Sequence, residues 1–152
     1  MTGFLHWIED RFITARTPLV GKLIGAPNEL HHANPTAFLD AGLVNRNWVG
    51  WLIVGLIALP LILTFGPSVF LLSAVLGGLF ANEIHAFAHR KSVPAVVGAL
   101  QQTGFWQSRN GHWKHHRTEN SYYCVLSDWL NPWLELIGFW RSLDRLFRRR
   151  PD

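Results

Sequence analysis

From Asn47 to Asn82 the chain contains no Lys, Arg, Asp or Glu, a run of 36 uncharged residues. A bilayer core of about 30 Å takes roughly 20 helical residues to cross. The run is too long for one crossing and just long enough for two short ones. Gly66-Pro67 breaks it near the middle, where a helix cannot continue. The pattern predicts a helical hairpin, outward over about 47–65 and back over about 67–85, with Trp48 and Trp51 as interfacial anchors. The soluble rival, a buried helical pair, is disfavoured, because a domain this small seldom wraps so much uncharged surface on every side.

The charges then fix an expected orientation. All 14 Lys and Arg lie before or after the hairpin, and none lies at its Thr64–Ser68 tip. Two crossings return the chain to its starting side, and by the positive-inside rule that side is cytoplasmic. A formal net charge of +4 could suit nucleic acid, but the hairpin redirects that expectation to a membrane, with no nucleic-acid partner. The opening MTGFLHWIED has no basic stretch ahead of an apolar one, so it does not read as a signal peptide.

The rest of the chain reads as all-α. A short amphipathic helix is expected over 1–15, then an irregular segment over 16–46 containing Pro18, Pro27 and Pro35. An apolar helix over about 94–107 is too short and polar to cross, which places it in the interface. Asn131-Pro132 starts a last amphipathic helix ending in Arg148–Arg150, suited to anionic headgroups.

The chemistry lies in eight histidines. His85 and His89 stand at i, i+4, so both imidazoles leave one helix face, the spacing by which two histidines share a metal. His112, His115 and His116 offer the same on another turn, and His6 with Asp10 adds a nitrogen–oxygen pair. His31 and His32 precede the first crossing. Every histidine can therefore meet at one membrane face. Any one of these motifs alone is weak, since a lone histidine is usually structural; their convergence is what points to a metal. The single cysteine, Cys124, excludes a disulfide and any multi-thiolate centre. Imidazole without thiolate suits iron, zinc or copper. Eight histidines, with Asp10, Glu83 and Glu119 as candidate carboxylates, point to two metals. A dinuclear iron centre there would activate O2 against a lipid chain. Glu83, at the end of an apolar run, is costly unless paired or ligating, and is expected to ligate or support the centre.

The stretches HWIED (6–10), HHANPTAF (31–38), NEIHAFAH (82–89), HWKHH (112–116), SYYC (121–124) and DWLNPWLELIGFWRSLDRLF (128–147) resemble the Kua-type (CarF-like) lipid desaturase family, the plasmanylethanolamine desaturase group. The resemblance runs nearly end to end and implies a single lipid desaturase domain over 1–152. It implies an integral membrane enzyme with two Fe ions, removing two hydrogens from a lipid alkyl or acyl chain. The co-reactants it implies are O2 and electrons from a cytochrome b5 or ferredoxin type donor. Carried over by position, His6, Asp10, His31, His32, His85, His89, His112, His115 and His116 become candidate iron ligands or their supporting partners. Family members usually carry one or two further N-terminal transmembrane helices, so either a shortened form or a start that lies further upstream is expected here. Three rival outcomes stand beside this reading: a lipid or sterol hydroxylase with the same centre, a non-enzymatic membrane metal-binding protein, and an inactive truncated relative.

Overall fold

The computed structural model describes residues 2–118 and 120–147. Among these residues every regular element is helical. The helices are α1 (Thr2–Phe12), α2 (Ala26–Ala33), α3 (Leu43–Phe65), α4 (Val69–His89), α5 (Ala95–Gln102), α6 (Arg109–Thr118), α7 (Asn131–Leu136) and α8 (Phe139–Leu146).

The uncharged run becomes the antiparallel pair α3–α4, turning at Gly66 with φ of 75°. Ser68 starts the return helix: its hydroxyl accepts from the Leu71 N–H at 3.2 Å, capping one of the N–H groups that a helix start leaves open. Both helices are long and apolar enough to cross a membrane, and only 6% and 11% of their apolar windows are buried within the protein. That exposure is what a lipid-facing pair needs, and it is not the burial of a soluble core pair. Trp48 is exposed, whereas Trp51 turns inward, its indole donating to the Leu79 carbonyl across the hairpin at 3.0 Å. Pairing between the helices is what holds Trp51.

The hairpin base is tied by charge. Arg46 on α3 donates through Nε and Nη2 to the two Glu83 oxygens at 2.7 and 3.2 Å, while Asn47 Nδ2 reaches Glu83 Oε1 at 2.7 Å. Arg46 Nη1 also donates to the carbonyls of Phe38, Leu39 and Ala41. Of the two roles expected of Glu83, direct ligation is not the one seen: it stands in neither donor group, and its oxygens are spent on Arg46 and Asn47. Glu119 lies outside the described residues, as do Arg148–Arg150.

The segment expected to be irregular is largely helical. A π-turn at Gly21–Gly25 runs directly into α2, with Pro27 in its first turn, where the missing N–H costs nothing. The last helix is two helices. Gly138, at φ 64° and ψ 32°, is left-handed, which any other residue adopts at a cost. The turn it makes aims Trp140 and Asp144 inward.

There they meet α1. Trp7, Tyr123, Cys124 and Trp140 form a buried apolar cluster. Gly3 lets α1 approach the 123–125 backbone so closely that a side chain at this position would stand 2.8 Å from Cys124 Sγ. Trp7 Nε1 donates to Asp144 Oδ1 at 3.0 Å, and Arg11 grips the same carboxylate through Nε at 3.1 Å and Nη2 at 2.7 Å. The first helix is thereby fastened to the last.

Candidate metal centre

Four helices deliver the donors, all at the end of the hairpin opposite its tip. His85 and His89 occupy successive turns at the end of α4, and His112, His115 and His116 lie on α6, which packs against it. α1 brings His6 and Asp10; α2 brings His31 and His32.

These nine side chains fall into two groups. His31, His85, His89, His112 and His116 each offer one nitrogen, and the five atoms lie within 4.8 Å of one another. His6, Asp10, His32 and His115 form the second group to the same limit. The 85/89 pair and the 112–116 cluster, far apart in sequence, are in direct contact. His85 Nε2 lies 2.9 Å from His112 Nε2 and 3.1 Å from His89 Nε2, and His116 Nε2 lies 2.9 Å from His112 Nε2.

Protons alone satisfy this arrangement badly. A neutral imidazole has one N–H and one lone pair, and here ring nitrogens face ring nitrogens. Both nitrogens of His31, Nδ1 of His89 and Nδ1 of His112 are buried without a hydrogen-bond partner. In the second group the same is true of His115 Nε2 and Asp10 Oδ2, which sit 3.3 Å apart. Each such orphan costs about 1–3 kcal/mol, and a cation at the focus of each group would relieve those that face it: one nitrogen of His31, His115 Nε2 and Asp10 Oδ2.

Backbone carbonyls select the tautomers. His6 Nδ1 donates to the Tyr123 carbonyl at 3.3 Å and His115 Nδ1 to the Ser121 carbonyl at 2.8 Å. A carbonyl only accepts, so each proton sits on Nδ1 and each Nε2 lone pair points toward Asp10. This is the support by which proteins orient metal-binding histidines. Asp10 also accepts from Asn28 at 2.8 Å and lies 3.1 Å from His32 Nε2.

The electrostatics keep the donors in binding form. Burial, outweighing the pull of Asp10 and reinforced by His115 and His32, holds His6 down at about 4. Burial and the neighbouring imidazoles hold His116 at about 3 and His31 and His112 well below the usual histidine range. Burial alone would raise the Asp10 carboxyl, but His6, His115 and His32 hold it well below the usual carboxylate range. At neutral pH these four imidazoles are uncharged and the carboxylate is ionised. Cys124 takes no part: burial pushes its thiol up to about 11, so it stays protonated in the apolar cluster.

Sequence reasoning missed three supports. Phe38 lies edge-on to His31 at 4.9 Å between ring centroids and tilted against His85 at 5.1 Å, walling one side of the five-nitrogen group. Tyr123 packs on His115 and His6 and supplies its carbonyl. Asp144 holds α1 in place. Phe38, Tyr123 and Asp144 all lie in the matched stretches, and Arg46, which fixes the Phe38 loop, is the charge just before the uncharged run; none of these signals shows what each side chain touches.

Fold and site together define a class: helical proteins with a bilayer-length hairpin and a histidine-rich, metal-type donor site at its base. The chain belongs to the lipid desaturase family, whose domain model matches residues 1–150. Among curated relatives, a protein of Acanthamoeba polyphaga mimivirus named "Probable fatty acid desaturase" is 30% identical over 93% of this chain and 72% of its own length. Plasmanylethanolamine desaturase of Myxococcus xanthus is 31% identical over 96% of this chain, and plasmanylethanolamine desaturase 1 of Mus musculus 30% identical over 97%. The chain spans 55% and 60% of the length of those two relatives. Desaturases are oxidoreductases. No solved structure matches the chain.

Proposed function

We propose that the chain is a membrane-bound, O2-dependent desaturase that introduces a double bond into a lipid alkyl or acyl chain, using two irons. The observation that carries this reading is the pair of donor groups, with buried nitrogens and a carboxylate oxygen left unpartnered inside them. The donor set fits iron: imidazole and carboxylate suit it, and the one thiol is elsewhere. His31, His85, His89, His112 and His116 would hold one ion, and His6, Asp10, His32 and His115 the other. Bound irons would supply the O2 chemistry that an unactivated C–H bond demands.

The protein's own work is positioning and exclusion. The carbonyls of Tyr123 and Ser121 orient two imidazoles; Phe38 and the Trp7–Tyr123–Trp140 cluster keep water from the donors. The reaction balances as follows. Two neighbouring chain carbons each lose a hydrogen and gain a double bond. O2 leaves as two waters, and a separate donor of cytochrome b5 or ferredoxin type supplies the remaining two electrons, with two protons from solvent. Charge placement supports a cytoplasmic site, since all 14 Lys and Arg flank the hairpin and none lies at its tip.

The test is metal analysis of the protein in mild detergent, paired with lipid mass spectrometry of cells with and without it. Two irons per chain and a lipid lacking two hydrogens are expected; His85→Ala and His89→Ala should abolish the lipid product and lower the bound iron. A lipid gaining one oxygen would reassign the chain as a hydroxylase. Preferential zinc with no lipid-dependent O2 uptake would leave a metal-binding protein.

A further inference from the structure

Beside the donor site, an apolar groove of about 360 Å³ runs along one face of α4. Ser73, Gly77, Phe80 and Ile84 form its floor, and Trp106 and Leu126 close its far side. We infer that this groove is the seat of the hydrocarbon chain, and that Gly77 sets how much chain it admits. The inference rests on the desaturase reading and adds the place where its substrate lies.

Three features select one occupant. The floor residues recur at helical spacing, so the groove is parallel to α4 and to the chains of a bilayer that α4 would cross. From Ser73 to Ile84 the helix rises about 16 Å at 1.5 Å per residue, close to half of the roughly 30 Å hydrocarbon core. That is the depth of one leaflet, which a single lipid chain fills and a partner's membrane-crossing helix would overrun. The groove also ends at Ile84, which is buried and directly precedes His85 in the five-nitrogen group. Its volume lies within the range of about 300–1,000 Å³ typical of small-molecule sites. The far wall is held independently of any ligand: Trp106 stacks on Phe87 with centroids 6.1 Å apart, and the 107 N–H bonds to the Leu126 carbonyl at 3.0 Å.

Gly77 is the narrow point. A Cβ added there would lie 3.1 Å from Leu126 Cδ1. An alanine needs only a small shift of the leucine end, whereas a leucine would project into the space a chain requires.

The experiment is photolabelling of the full chain in nanodiscs with a phosphatidylcholine whose palmitoyl chain carries a diazirine near its middle. Labelled peptides are read by mass spectrometry. Labelling is expected to concentrate at Leu76, Phe80 and Leu126, above the equally lipid-exposed face of α3 at Leu52, Leu56 and Leu63. Gly77→Leu should lower groove labelling roughly tenfold, the loss of about two buried methylenes, with α3 labelling unchanged. Ser73→Trp, a change at an exposed position that spares the core, should cut labelling at the Ser73 end alone. Equal labelling of both faces, or groove labelling indifferent to both substitutions, overturns the inference. So do cross-links joining two copies through this face, which would make a second chain the occupant. Because labelling needs neither metal nor turnover, an inactive protein with a labelled groove would refute the desaturase reading alone, and an active one with an unlabelled groove would refute this inference alone.

Discussion

Asp144→Ala is the substitution whose consequences the structure specifies most fully. Asp144 is 8% exposed and accepts three hydrogen bonds, one from Trp7 and two from Arg11. Truncation leaves the Arg11 guanidinium, whose side chain is only 18% exposed, without its counter-ion, and the Trp7 indole without an acceptor. Removing one partner of a buried pair typically costs about 3–5 kcal/mol. The remaining exposure of this pair favours the lower figure, about 3 kcal/mol, which for a chain of this size lowers Tm by roughly 6–12 °C. The damage should be directional. α1 carries His6 and Asp10, two of the four donors of the second group and none of the first. The variant should therefore lose one bound metal while the five-nitrogen group keeps its own. The assay is thermal unfolding in mild detergent beside metal-to-protein stoichiometry. Asp144→Asn, which retains an acceptor for Trp7, should fall between. A Tm change below about 2 °C, or equal loss of both metals, would refute the claim that α8 positions the first helix.

Three further outcomes are expected. Arg46→Met strands Glu83 at the hairpin base and should cost about 3 kcal/mol, while Arg46→Met with Glu83→Leu together should recover most of it; denaturant unfolding of both variants checks this. Gly138→Ala forces a side chain into the left-handed conformation at φ 64° and should cost about 1 kcal/mol, read as a Tm shift without loss of metal. Metal-free protein should lose stability as pH falls from 6.5 toward about 3. His6 and His116 have folded values lowered to about 4 and about 3, so the unfolded chain takes up protons first. Glu9 opposes this, because burial and then Asp10 raise it from 4.5 to about 7, giving stability that is lost as pH rises through that window. Melting curves across pH should show the histidines prevailing, and a flat profile would contradict the burial described.

The hairpin and the gathering of the nine donors were legible because both are written in short-range signals. An uncharged run has one way to fold back, and i, i+4 histidines have one face. Even the Arg46–Glu83 pair was within reach, since the two charges flank the run at similar distances from Gly66. Three things were not legible locally. Residues 16–46 carry three prolines and little periodicity, yet α2 forms because Pro27 sits in its first turn and its donors face a packed centre. The Trp7–Arg11–Asp144 junction joins residues some 133–137 positions apart, and nothing near either end announces the other. The break at Gly138 hides inside an amphipathic pattern that reads as one continuous helix.

The dipeptides His31–His32 and His115–His116 are each divided between the two donor groups. Two neighbouring residues on one helix therefore act as a fixed rung between the sites, and there are two such rungs, on different helices. Breathing of the hairpin or rocking of α1 can tilt the whole assembly but can scarcely change the gap between its halves. A chemistry that needs two centres at constant separation would find its ruler in peptide bonds.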